Sequence, residues 1–246
     1  MGRFFGFLYG IVAYLIFLSS FLYAVGFVGN VFVVKSIDSG AEGSMLMSII
    51  VNMVLLSIFA LQHSVMARPA FKSMWTKVIP KSVERTTYVL LSSVALILIC
   101  VFWQPMLGNV WDVSGTLVGT SLLFVFWTGW AIVLSSTFMI DHFDLFGLRQ
   151  VYLHLKEQED SHAGFQQRVL YRFVRHPIMT GFIIAFWATP VMTTGHLLFA
   201  VVTTMYIVIA VKHFEEKDLV AQIGEQYTNY QKEVGTFFPG IGKHKD

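Results

Sequence analysis

Charge and cysteine are what this 246-residue chain has least of: 13% of its residues are Asp, Glu, Lys or Arg, and Cys100 is its one cysteine. Soluble domains carry about 25% charged residues, so an ordinary water-facing globule is excluded. A lone cysteine rules out an intrachain disulfide and any scaffold stapled by one. Low-complexity segments and internal repeats of useful strength are also missing. There is no basic module interleaved with aromatics, so nothing points to nucleic acid.

In place of charge the chain has apolar length. It is 55% hydrophobic and 15% aromatic, with a mean hydropathy of +0.64. Five stretches hold no charged residue at all: Phe4–Val34, Met45–Ala67, Thr86–Trp111, Val113–Ile140 and Pro177–Val211. About 20 apolar residues span a bilayer as a helix, and each stretch is long enough. The last would reach roughly 52 Å as one straight helix. Pro190, Thr193, Thr194 and Gly195 interrupt it, which reads as a helical hairpin with short arms that either crosses or dips in and returns. The expected fold is an all-α integral membrane protein with about six transmembrane segments, the last two a hairpin, plus cytoplasmic amphipathic helices. It reads as one domain over 1–246. Residues 1–140 supply four membrane helices, and 141–246 supply a loop, the hairpin and a tail that form the functional site.

The cations set the orientation. Lys35 stands alone on one side, while Arg3, the basic residues between Arg68 and Arg85, those between Arg149 and Arg175, and those from Lys212 onward all fall on the other. The positive-inside rule then puts both termini in the cytoplasm, and in a bacterium the membrane is the inner one. The first span lacks a small-residue cleavage pattern and reads as a retained helix. Between Pro69 and Pro80 a basic amphipathic stretch, Ala70–Ile79, reads as a helix on the headgroups. In the tail, Phe214, Leu219, Ile223, Tyr227, Tyr230 and Val234 recur at three- and four-residue steps, one apolar stripe on a helix.

Four of the eight histidines, His63, His142, His176 and His213, sit at the cytoplasmic ends of spans. They lack the His-x-x-His, His-x-x-x-His or His-Glu-x-x-His spacing of a metal site. For His154, His162, His196 and His244 an interfacial ring bonded to a backbone carbonyl suffices. Asp141-His142-Phe143-Asp144 follows directly on an uncharged span. Charges at that depth are costly unless paired or lining a cavity, so the group is either an interhelical salt-bridge lock or the polar wall of an active site. Arg149, Arg68 and Arg85 are the available partners.

Arg175-His176-Pro177-Ile178-Met179-Thr180-Gly181 enters the hairpin, and Glu215-Glu216 leaves it, followed by Leu219, Gly224, Tyr227, Tyr230, Val234 and Pro239. This pair of motifs resembles the membrane methyltransferase superfamily that includes isoprenylcysteine carboxyl methyltransferases and phospholipid methyltransferases. There an Arg-His-Pro-x-Tyr-x-Gly motif and a Glu-Glu pair flank a hairpin and build the S-adenosyl-L-methionine site. The resemblance implies Arg175, His176, Pro177, Gly181, Glu215 and Glu216 as cofactor-binding residues. Met179 stands where the family has Tyr, so a hydroxyl contact is lost or supplied by another group such as Tyr171. Pro177 pre-sets a first helical turn whose free N–H groups can receive a carboxylate. Gly181 removes a side chain where backbone and cofactor would approach. The two glutamates can accept bonds from ribose hydroxyls or an ammonium.

Leu61–Pro69 resembles a motif of the NnrU-like branch. Lys35–Gly40, Val83–Ser93, Asp141–Gln150, Phe186–Pro190 and Gly195–Ala200 are similar to the bacterial methanethiol S-methyltransferase family. That likeness covers most of the chain. It implies a thiol S-methyltransferase that uses S-adenosyl-L-methionine to convert a small volatile thiol, methanethiol, to dimethyl sulfide. A thiol near pKa 8.5 or above is mostly protonated at pH 7. The expected proton acceptor is His142 or His63, oriented by Asp141 or Asp144, with Arg149 holding the carboxylates. Two alternatives stay open: a methyltransferase of the same superfamily acting on a lipid or prenylcysteine, and a non-catalytic NnrU-like protein binding haem through His63 and His142. The partners expected are the bilayer and the thiol; no oligomeric state is read from the sequence.

Overall fold

The computed structural model describes residues 2–159 and 167–244. In chain order the elements are α1 (Gly2–Gly29), α2 (Met45–Ala67), α3 (Pro69–Trp75), α4 (Lys81–Phe102), strand β1 (Asn109–Asp112), α5 (Leu117–Ile140), α6 (His142–Leu145) and α7 (Leu148–Lys156). A 3-10 turn, Val169–Arg172, precedes α8 (Pro177–Trp187), strand β2 (Val191–Thr193) and α9 (Thr194–Ala210). A π-helical segment, Val211–Glu215, joins α9 to α10 (Glu216–Ile223), and α11 (Glu225–Glu233) closes the order. β1 and β2 form a two-stranded sheet.

Five of these helices are long and apolar enough to cross a membrane: α1, α2, α4, α5 and the continuous run Thr194–Ile223. The protein is an all-α integral membrane protein. The sixth apolar segment is the 11-residue α8, roughly 16 Å long at 1.5 Å per residue, about half a hydrocarbon core. The hairpin therefore has one short arm and one long one. Trp187 Nε1 donates to Thr204 Oγ1 at 2.9 Å across it.

The chain divides into two compact units that do not follow chain order at residue 140. One holds α1, α2, α3, α4, α6, α7 and Thr193–His196. In it α1 packs on α4 and α7, and α4 on α2. Met66, Tyr88 and Val89 form one buried cluster in it, with Phe17, Phe71 and Phe146 packed around them. Asn52, a polar residue in a membrane helix, is fully buried and satisfied twice by the Gln104 backbone, at 2.8 Å each way. Gly147, at φ +85, ends the α6 turn against Thr86, whose Oγ1 donates to Gly147 O at 3.0 Å. A Cβ at Gly147 would lie 2.7 Å from Thr86 N.

The other unit holds α5, α8, α9 from Leu197 onward, and the tail. Here α8 lies against α5 through Gly181 and Gly129, and an aromatic row of Trp130, Phe182, Phe186 and Phe199 fills the space beside them. The tail is two helices, not one. Gly224, at φ +73, breaks the stripe, so Tyr227, Tyr230 and Val234 fold back onto Leu219, Val220 and Ile223. Phe214 is left exposed.

Candidate active site

In the first unit, the acids and the imidazole at the end of the fourth apolar stretch do come together. Asp141 Oδ1 accepts from Asp144 N at 3.1 Å, capping α6, and Asp141 Oδ2 accepts from Arg149 Nη1 at 3.0 Å. Gln150 Nε2 donates to Asp144 Oδ1 at 3.2 Å. Arg85 donates from Nε to Leu145 O at 2.8 Å and lies over the Tyr88 ring. Both Asp141 oxygens are thus engaged, and the carboxylate acts on the neighbouring His142 ring through its charge. A phenol is bonded to that ring: Tyr14 Oη lies 2.8 Å from His142 Nε2. His142 is buried among Tyr14, Phe143 and Phe146. Burial pulls its pKa below the usual histidine value, and the Asp141 carboxylate partly opposes this.

His63 is placed in the same way. Tyr88 Oη lies 2.9 Å from its Nε2, Ser92 Oγ lies 3.3 Å from its Nδ1, and Phe59 stacks on the ring. Tyr88 belongs to the core onto which Phe146 packs, and Phe146 touches His142. Both candidate bases therefore border one aromatic cluster, each with a tyrosine partner. Neither tyrosine carries a sequence signal, since a phenol inside an apolar run reads as core.

The second unit holds the other residue set. Arg175 N–H donates to Gly235 O at 2.8 Å, and His176 N–H to Thr236 O at 3.1 Å. The tail therefore returns alongside the residues that enter α8. All five guanidinium N–H groups are engaged there. Nε donates to Glu216 Oε1 at 2.7 Å; Nη1 donates to the carbonyls of Gln231, at 3.2 Å, and Val234. Nη2 donates to Thr236 Oγ1 at 2.9 Å and Gly242 O at 3.2 Å. Arg175, expected among the cofactor-binding residues, has every guanidinium donor engaged within the chain and clamps the tail.

Glu216 shares that fate. Its Oε1 also meets His176 Nε2 at 3.2 Å, and its Oε2 accepts from Gln231 Nε2 at 3.3 Å. Glu215 differs. Its side chain is 43% exposed, and Oε1 lies 3.6 Å from His176 Nδ1. Burial alone would lower the His176 pKa, but the carboxylates of Glu215 and Glu216 outweigh it and raise the value to about 9. Tyr171 is raised by burial, then by Glu215 and Tyr230. The Tyr171 carbonyl accepts from Tyr230 Oη. Gln231 and Thr236 went unread in the sequence, because their role depends on a tail that doubles back.

Pro177 occupies the first turn of α8 as expected and is fully buried. The reason given for Gly181 is corrected. A Cβ there would lie 2.6 Å from Gly129 O and 2.8 Å from Val133 Cγ2, so the missing side chain admits helix α5. Small residues permit such close crossings in membranes. Among the described residues no group of three or more His, Cys, Asp or Glu could hold a metal ion. Around the α8 entrance the Glu215 side chain is partly exposed and Tyr171 is half-buried.

Five long apolar helices define an integral membrane protein, and its relatives make the class one of membrane methyltransferases. A protein of Mycobacterium tuberculosis named methanethiol S-methyltransferase is 51% identical over 244 residues, 99% of this chain and 100% of its own length. Methanethiol S-methyltransferase 2 of Bradyrhizobium diazoefficiens is 52% identical over 95% of this chain and 90% of its own length. The chain belongs to the methanethiol S-methyltransferase family. Nurim of Rattus norvegicus is a more distant relative, 29% identical over 69% of this chain and 67% of its own length. No family model and no solved structure matches the chain.

Proposed function

We propose that this protein methylates methanethiol to dimethyl sulfide with S-adenosyl-L-methionine as donor, at the cytoplasmic face of the bacterial inner membrane with both termini on that side. The observation that carries this reading is near-full-length similarity, at about half identity, to proteins named for that reaction. Bound S-adenosyl-L-methionine supplies a methyl group made electrophilic by the sulfonium beside it.

The residues left open around α8 suit that donor. The exposed Glu215 carboxylate fits an ammonium or a ribose diol, and Tyr171 stands beside it in place of the tyrosine absent at Met179. The first turn of α8 presents backbone N–H groups to a carboxylate. His176 holds Glu215 from behind, and Arg175 with Glu216 keeps the tail folded over these groups.

His142 or His63 takes the thiol proton. Either ring, kept neutral, offers a lone pair to an S–H, and the thiolate is the nucleophile. Tyr14 and Tyr88 hold the two rings in place. The Asp141–Arg149 pair steadies the α6 turn that carries His142. An apolar aromatic enclosure suits a substrate with one methyl group. Because one methylene is worth only about 1–3 kcal/mol of discrimination, ethanethiol and hydrogen sulfide should also turn over at reduced rate.

The test is headspace gas chromatography of the purified protein given methanethiol and S-adenosyl-L-methionine. Dimethyl sulfide formed by the wild type and lost in Glu215→Gln supports both the reaction and the site. Donor bound without product would move the substrate to a lipid or prenylcysteine.

A further inference from the structure

Away from both residue sets, the first unit has a cavity of about 520 Å³ where the starts of α1 and α4 meet the end of α7. It is lined by Gly2, Arg3, Gly6, Ser82, Val83 and His154, with Pro80 at its edge. We propose that it binds the phosphate headgroup of an anionic glycerophospholipid.

Depth is the first argument. The uncharged stretches begin at Phe4 and Thr86, so Arg3 and Ser82 lie within about one turn of the apolar boundary, at headgroup level. Charge is the second. Arg3 lines the cavity, and Lys81 and Lys156 adjoin the lining residues Ser82 and His154 in the chain. Two acids answer them: Glu157, through its ion pair with Arg3, and Glu84, which adjoins the lining residue Val83 in the chain. The Arg3–Glu157 pair is exposed on both sides, so the Arg3 guanidinium remains within reach of a second anion. Ser82 and His154 add a hydroxyl and an imidazole, the donor types that a phosphate diester accepts from.

The third argument separates a lipid from free phosphate. Phe4 and Phe5, between the lining residues Arg3 and Gly6, and Leu8, two residues beyond Gly6, are all exposed. A headgroup in the cavity would lay its acyl chains along that apolar, lipid-facing surface, whereas inorganic phosphate has no part to place there.

Native mass spectrometry of the full chain in detergent, with phosphatidylglycerol or phosphatidylcholine added in turn, tests this. Phosphatidylglycerol should give a one-to-one adduct that phosphatidylcholine does not match. Arg3→Gln should weaken it about fivefold, the worth of one basic residue near an anionic surface. Gly6→Leu, which fills the cavity without touching charge, should abolish it. The melting temperature without added lipid should stay at the wild-type value in Arg3→Gln. Equal retention of the two lipids, wild-type retention in both variants, or full displacement by millimolar inorganic phosphate would each overturn the proposal.

Discussion

Arg175 reaches Glu216 across 41 residues of chain through an Nε–Oε1 bond of 2.7 Å, with the arginine side chain fully buried and the glutamate 7% exposed. Buried pairs of this kind contribute little net stability when whole but cost about 3–5 kcal/mol when one partner is removed. Here the arginine also ties down four groups of the tail, so the pair joins the entrance of α8, the start of α10 and residues 231–242 into one structure.

Arg175→Lys is expected to behave like a deletion. An ammonium offers three donors from one point, and it cannot reach three carbonyls, a hydroxyl and a carboxylate in a fan. The tail should detach while the membrane helices stay folded. Limited proteolysis would show early cleavage beyond Gly224 in the variant and protection in the wild type.

Glu215 and Glu216 are neighbours in sequence with opposite tasks, and their Gln variants should separate. Glu216→Gln removes the counter-charge of a buried guanidinium and should lower the melting temperature by several degrees. Glu215→Gln loses a half-exposed charge paired with His176, so it should lower melting less than Glu216→Gln does, and it should weaken donor binding about tenfold or more, the cost of a lost charged hydrogen bond. Isothermal titration beside thermal unfolding checks both, and loss of stability in Glu215→Gln alone would reverse the assignment.

The raised pKa of His176 has a pH signature. A histidine that holds its proton more tightly when folded contributes stability in full below its unfolded value near 6.5. That contribution shrinks as pH rises and is gone above the folded value of about 9. The difference in melting temperature between wild type and His176→Gln should therefore be largest near pH 6 and vanish by about pH 10. A difference that grew with pH would show that the ring is neutral in the folded protein.

Gly181→Ala should act through helix packing. The added methyl would meet Gly129 O at 2.6 Å and Val133 N at 2.9 Å, backbone atoms that cannot turn aside. Overpacking of this kind costs about 1–3 kcal/mol. Thermal unfolding should register it, and donor affinity per folded molecule should stay near the wild-type value.

Much of the fold is legible because lipid demands long uncharged runs: α1, α2, α4 and α5 each fall inside or nearly match one. The short arm α8 was less legible, since hydropathy runs on through Ala188 and does not mark where the backbone leaves the helix. Of the tail stripe, Leu219, Ile223, Tyr227, Tyr230 and Val234 pack together while Phe214 stays exposed, and Gly224 within the stripe is the signal for the break in connectivity. In the site, Arg175-His176-Pro177 and the Glu pair were found as motifs. What Arg175 does was invisible, because four of its five bonds go to tail groups whose position no local pattern encodes. Tyr14 and Tyr88 were hidden for a different reason: a hydroxyl inside an apolar helix shows its purpose only when the facing ring is known.

The π-helical segment Val211–Glu215 has a consequence of a different order. A π turn behaves as one residue too many in an α-helix, and it absorbs that residue so that the helix beyond keeps its bearing. Deleting one residue between Val211 and Phe214 would let the segment relax to α geometry with both glutamates close to where they point now. Forcing the same sequence into α geometry, or adding one more residue, would instead swing them by about 100° and take Glu216 away from Arg175. In this stretch the chain should tolerate the loss of one residue far better than the gain of one.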